Sequence, residues 1–211
     1  MFARRRNSSA GLTKERLENV VDGITGFVLT VLIFDIVVPE AGKPLEELPA
    51  MLLAQRQALF TFLVTAAVIA TFWLGHAQQM NFITRLDRPL VWINFVGLTL
   101  VVLLPFTTSL LGRYLGAGLP TAIYGANVGL IGATGLAQWA WATRHPHLVR
   151  VGTPPEAVRD MTMRIGIGLA FTAVGITAAA WSAWASMFFY ALAFLPFVLP
   201  GAYDDHLVSG P

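Results

Sequence analysis

Apolar runs as long as a bilayer's hydrocarbon core is thick recur along the chain, and the gaps between them are too short to hold another domain. A helix rises about 1.5 Å per residue, so roughly 20 residues cross a core of about 30 Å. Such runs occupy residues 17–38, 58–76, 90–111 and 122–142, and a further stretch over 163–199 is too long for one crossing. Trp181-Ser182-Ala183-Trp184 near its middle reads as an interfacial turn, dividing the stretch into 163–181 and 183–199. The expectation is an all-α polytopic membrane protein, with six transmembrane helices forming one domain over residues 1–211.

Composition supports lipid as the solvent. Of 211 residues, 55% are hydrophobic and only 12% charged, about half the charged share of an ordinary soluble domain. The mean hydropathy of +0.64 points the same way. The basic run Arg4-Arg5-Arg6 has no folded basic surface behind it, so nucleic-acid binding is not expected. Glu15, Arg16, Glu18 and Asp22 separate that run from the apolar core, and no small-x-small site follows, so the first helix is expected to stay in the mature protein. Cysteine is absent, which removes a disulfide framework, a thiolate metal site and a cysteine nucleophile. No phosphate loop, dinucleotide fingerprint or nucleophile-base pairing is present either.

Six crossings place Arg4, Arg5, Arg6, Lys14, Arg16, Arg85, Arg88, Arg144, Arg150, Arg159 and Arg164 on one side, which is 11 of the 14 basic residues. The positive-inside rule puts that side, and both termini, in the cytoplasm. Trp73, Trp92, Trp139 and Trp141 fall toward the inner helix ends and Trp181 and Trp184 at the outer turn, where amphipathic rings prefer to sit. In the outer gap, Leu45, Leu48, Met51, Leu52 and Leu53 suit a short amphipathic helix on the membrane surface. In the inner gap, Thr153-Pro154-Pro155-Glu156 suits a helix start.

With so little chain outside the bilayer, function has to be built from the helices. Ionisable groups inside a membrane are costly and point to function. Helix 1 carries Asp22 near its inner end and Asp35 near its outer end. Asp35 reads equally as an interfacial charge beside Pro39 or as a functional one. Asp22 lies six residues after Arg16 and within reach of His76 or Asn94 on other helices, which suits a structural polar network. On residues alone, His76, His145 and His147 read as interfacial and solvated, a weak metal signal without a carboxylate.

Spacings of 4, 3 and 4 set Gly23, Phe27, Thr30 and Phe34 on one stripe of helix 1. Several copies around an axis would line it with two aromatic rings and a hydroxyl ring, an arrangement that can gate by dewetting and replace part of an ion's hydration shell. The competing reading is plain packing against a neighbour, with Gly23 and Gly26 permitting close approach.

In their order and spacing, several elements resemble the TMEM175 family of potassium channels, in its short bacterial form with one six-helix unit per chain. They are Arg16 with Asp22, Thr30-Val31-Leu32-Ile33-Phe34-Asp35-Ile36, Phe72-Trp73 with His76, the Arg85 to Arg88 turn, Trp92 with Asn94, Leu104-Pro105-Phe106 and Tyr124-Gly125. Two departures stand out. Val20 and Val21 occupy the place of the family's Phe-Ser, and phenylalanine stands at 27 and 34 where leucine or isoleucine is usual. The resemblance implies a homotetramer in which helix 1 lines a central pore, with Phe27 and Phe34 as constrictions around a Thr30 layer and Gly23 on the same lining. It further implies a structural polar network of Arg16, Asp22, His76 and Asn94, with Asp35 at the outer pore mouth. The implied function is potassium-preferring cation conduction, with potassium, other monovalent cations and membrane lipid as partners and no cofactor, metal or enzymatic activity. A proton-coupled carrier or proton leak using the intramembrane carboxylates is the alternative, and a non-transporting scaffold a third reading.

Overall fold

The computed structural model describes residues 13–39, 42 and 44–198. The Arg4 to Arg6 run and Lys43 lie outside these. Among the described residues the chain is helical throughout, with one isolated bridge, Ile83 to Val149, in place of any sheet.

The first helix, α1 (Lys14–Val31), is capped by Thr13, whose Oγ1 accepts from the Arg16 amide. It tightens into a 3-10 turn over Leu32–Asp35. A 3-10 turn at Leu45–Glu47 leads into the short α2 (Leu48–Ala54), whose Leu52 and Leu53 are exposed. Then come α3 (Arg56–Phe82), α4 (Arg88–Val102), α5 (Leu104–Arg113), α6 (Gly118–Arg144), α7 (Pro155–Ala178), α8 (Ala183–Leu192) and α9 (Leu195–Val198).

Four segments are long and apolar enough to cross a membrane: Lys14–Asp35, Arg56–Phe82, Arg88–Arg113 and Pro155–Ala178. The protein is thus an integral membrane protein. α6 matches α3 in length, at 27 residues, but is diluted by glycine, asparagine and glutamine, and α8 and α9 form a shorter apolar pair.

The helix read over 58–76 runs on to Phe82, and the one read from 163 begins at Pro155. Hydropathy stops at the first polar residues, whereas the backbone ladder continues through Gln78, Gln79 and Asn81, and through Arg159 and Asp160. At about 1.5 Å per residue, the 27 residues of α3 extend roughly 40 Å, longer than the hydrocarbon core. The helix read over 90–111 is interrupted at Leu103, because Pro105 lacks the amide that would continue the ladder. Ser182 caps α8, its hydroxyl accepting from the Ala185 amide, so the chain does turn between Trp181 and Trp184, both exposed.

The packing centre joins Val28 and Leu32 of α1 with Val68, Ile69, Val101, Leu104, Leu111, Tyr124, Ile131 and Tyr190. Tyr190 fits because Gly125 and Gly175 flank its ring: a Cβ on Gly125 would stand 1.9 Å from the Tyr190 hydroxyl, and one on Gly175 2.4 Å from the ring. The hydroxyl donates to the Thr121 carbonyl at 3.1 Å. Small residues permit such approaches, which drive helix association where lipid is as apolar as the core.

Candidate functional site

α1 has two unlike faces. Leu17, Val21, Thr25, Val28 and Leu32 are buried at helical spacing against α3 and α4, with the four apolar ones at most 2% exposed. On the other face Gly23, Phe27, Thr30 and Phe34 are all exposed within the chain, Phe27 at 67% and Phe34 at 80%. An added Cβ at Gly23 or Gly26 would meet nothing within 4 Å, so no neighbour in the same chain requires glycine there. The tightening at Leu32 leaves Phe34 on the free side.

Polar contacts clamp this helix to the bundle. At its N-terminal end the Lys14 ammonium donates to the Met80 carbonyl at 2.6 Å and pairs with Glu18 at 3.5 Å. One turn above, Trp73 Nε1 of α3 donates to Asp22 Oδ1 at 2.7 Å. At the C-terminal end Ser109 Oγ of α5 lies 2.5 Å from both Asp35 carboxylate oxygens and donates to the pair. Both carboxylates thus accept from neutral donors, and the buried face supplies the apolar contact between them. The helix is anchored at both ends, which holds its free face in a set orientation.

Thr30 has a definite hydroxyl orientation. Its Oγ1 donates to the Phe27 carbonyl one turn back, at 2.7 Å. With the proton committed to the backbone, the oxygen presents lone pairs outward, the polarity that suits a cation in place of hydration water.

Of the residues read as a polar network, His76 and Asn94 meet, Nε2 to Oδ1 at 2.8 Å, while Asn94 Nδ2 donates to the Leu90 carbonyl at 3.0 Å. Asp22 bonds instead to Trp73, and the Arg16 guanidinium has no hydrogen bond or ion pair among the described residues. Within one chain the four do not form a single network. His76 is also not solvated as read: it is 8% exposed, between α3 and α4. Its inner-end position in sequence suggested the interface, but α3 runs nearly two turns further and carries it beneath the surface. His145 stacks on Trp141 with ring centroids 4.3 Å apart.

The partners missed from sequence are Trp73 for Asp22, Ser109 for Asp35 and the Gln79–Gln138 pair. Trp73 lies three residues before His76, one turn away on the same helix, but an amphipathic ring near a helix end reads as part of the headgroup belt. Ser109 lies 74 positions from Asp35, and nothing in the linear pattern couples them.

Known proteins resemble this chain in sequence and in fold. The family model described as the endosomal/lysosomal potassium channel TMEM175 matches residues 16–105. A potassium channel of Streptomyces collinus is 30% identical over 178 residues, covering 78% of this chain and 86% of that protein. The mouse endosomal/lysosomal proton channel TMEM175 is 24% identical over 195 residues, covering 90% of this chain but only 38% of that protein. The crystal structure of a lysosomal potassium-selective channel TMEM175 homolog from Chamaesiphon minutus superposes with a TM-score of 0.76, at 25% identity, covering 88% of this chain and 96% of that one.

Proposed function

This chain belongs to the TMEM175 family of ion channels, and on that premise we propose that it is a potassium-preferring cation channel, a homotetramer whose pore is lined by α1 of each subunit. The observation that carries the reading is the unpartnered stripe of Gly23, Phe27, Thr30 and Phe34 on a helix otherwise fixed to the bundle. Four copies around an axis complete it with a closed, symmetric contact. Phe27 and Phe34 then form two apolar constrictions that resist wetting, and the Thr30 oxygens between them supply a partial replacement for the ion's water shell.

In this arrangement Asp35 sits at the outer mouth, where Ser109 holds its charge close to the path of an entering cation. Asp22, His76, Asn94 and Arg16 act in support rather than in contact with the ion. Trp73 and Asn94 orient Asp22 and His76, and Arg16 turns toward the membrane's inner surface or a neighbouring subunit. Six crossings with both termini cytoplasmic, in a bacterial inner membrane, fit the distribution of lysine and arginine.

The test is flux. Purified protein in liposomes under a potassium gradient should carry current above empty liposomes, with potassium favoured over sodium, and native mass measurement should give four chains. Absence of flux in several lipid compositions overturns the reading. A second reading, proton movement through the same α1 surface, draws support from the mammalian relatives named proton channels. It requires flux that follows a proton gradient without potassium and is abolished by Asp22→Asn.

A further inference from the structure

Away from the free face of α1, a partly open cavity of about 110 Å³ lies among α3, α4, α6, α7 and the turn into α9. Its walls are mostly apolar and include Val68, Ile131, Ile165, Phe194 and Phe197. Four buried polar residues stand on its wall, His76, Gln79, Asn94 and Gln138.

Their hydrogen bonds define what each still offers. Asn94 gives its amide nitrogen to the Leu90 carbonyl, so its oxygen faces His76 and can only accept. His76 Nε2 therefore carries the proton, and Nδ1 of the neutral ring is an acceptor. Gln138 Nε2 donates to Gln79 Oε1 at 3.0 Å, and Gln79 Nε2 donates to the Gly135 carbonyl at 3.2 Å. That leaves Gln138 Oε1 as a second acceptor. Neither atom has a partner among the described residues, and neither is among the polar atoms fully enclosed by protein, so both keep accessible surface on residues that line the pocket.

A dry cavity of about 150 Å³ lined only by aliphatic and aromatic groups takes up benzene or xenon, whereas unmet polar groups call for a hydrogen-bonding guest. We propose that this cavity is a binding site for a small uncharged single-ring compound bearing a hydroxyl or amino donor, the ring against the apolar wall and the donor shared by His76 Nδ1 and Gln138 Oε1. The donor on the guest is what His76 Nδ1 and Gln138 Oε1 can accept, and the single ring follows from the volume. The site belongs to each subunit alone and is independent of whether α1 lines a pore.

The experiment uses fluorine NMR of the full-length protein in nanodiscs, with empty nanodiscs subtracting partition into lipid. The probes are 4-fluorophenol and fluorobenzene, which share a ring and differ in the donor. Loss of one net hydrogen bond of about 1 kcal/mol weakens binding roughly fivefold. 4-Fluorophenol should therefore show protein-dependent broadening at concentrations about fivefold below those fluorobenzene needs. Gln138→Met, which keeps side-chain length and removes the acceptor, should narrow that preference. Gly135→Leu, whose Cβ has its nearest neighbour 3.8 Å away at Gln79, should fill the space and abolish broadening by either probe. Equal binding of the two probes, or broadening by 4-fluorophenol that survives both substitutions, overturns the proposal, as does broadening no greater than in empty nanodiscs, the result if the cavity takes only water.

Discussion

Phe34→Ala separates a pore-facing stripe from ordinary packing because the two readings put the cost in different places. With Phe34 80% exposed, its own chain covers about one-fifth of it. Full burial of such a side chain is worth about 1.5–3 kcal/mol, so the covered share amounts to roughly 0.3–0.6 kcal/mol. At roughly 2–4 °C per kcal/mol for a chain of this size, Tm should fall by about 2 °C or less. Leu32, two positions back and 1% exposed, provides the internal control: Leu32→Ala leaves a cavity between α1 and the bundle and should cost about 2–5 kcal/mol. Flux should respond in the opposite order. Replacing each Phe34 ring with a methyl widens the constriction and eases its wetting, and a barrier lowered by only about 1.4 kcal/mol raises conduction about tenfold. The assay pairs thermal unfolding in mild detergent with potassium flux in liposomes, on protein whose native mass has been checked. A Phe34→Ala protein that loses as much stability as Leu32→Ala, or that falls apart into single chains, would show the ring packed at an interface. Flux equal to wild type would place the narrow point elsewhere.

Other substitutions probe the supports. Gly125→Ala drives a methyl into Tyr190 with Gly175 blocking retreat, so thermal unfolding should show a loss of about 3 kcal/mol or more from overpacking and the strained Tyr190 bond, whereas Gly23→Ala should leave Tm within about 1 °C because that site is open. Trp73→Phe removes the neutral donor to Asp22. Since Asp22 is exposed in the chain, the cost should stay at or below about 1 kcal/mol, and a larger drop in denaturant midpoint would mean that Asp22 is buried by a neighbouring subunit. Ser109→Ala frees Asp35 from α5, and single-channel recording should show altered conductance with little change in Tm. Asp160→Ala takes one partner from the buried Arg164, whose Nη1 also ties α7 to the Pro196 carbonyl at 2.6 Å, and chemical unfolding should register about 1–3 kcal/mol.

What the linear pattern determined was the solvent and the periodicity. Runs of apolar residues near 20 long leave a chain only helices as a way to satisfy its backbone in lipid, so α1, α3, α4 with α5, α6 and α7 were legible in the order of residues alone. The stripe of Gly23, Phe27, Thr30 and Phe34 was legible too, because one helix's spacing decides which of its residues share a face. Periodicity does not say whether that face is buried or free. That was decided by α3 and α4, which cover Leu17, Val21, Val28 and Leu32 and leave the phenylalanines bare. The same holds for the polar groups. Asp22 finds Trp73, Asp35 finds Ser109, and Gln138 finds Gln79 only where the bundle brings separate helices together. A carboxylate or amide in a membrane must find some partner, but which one depends on helix contacts between residues 51 to 74 positions apart.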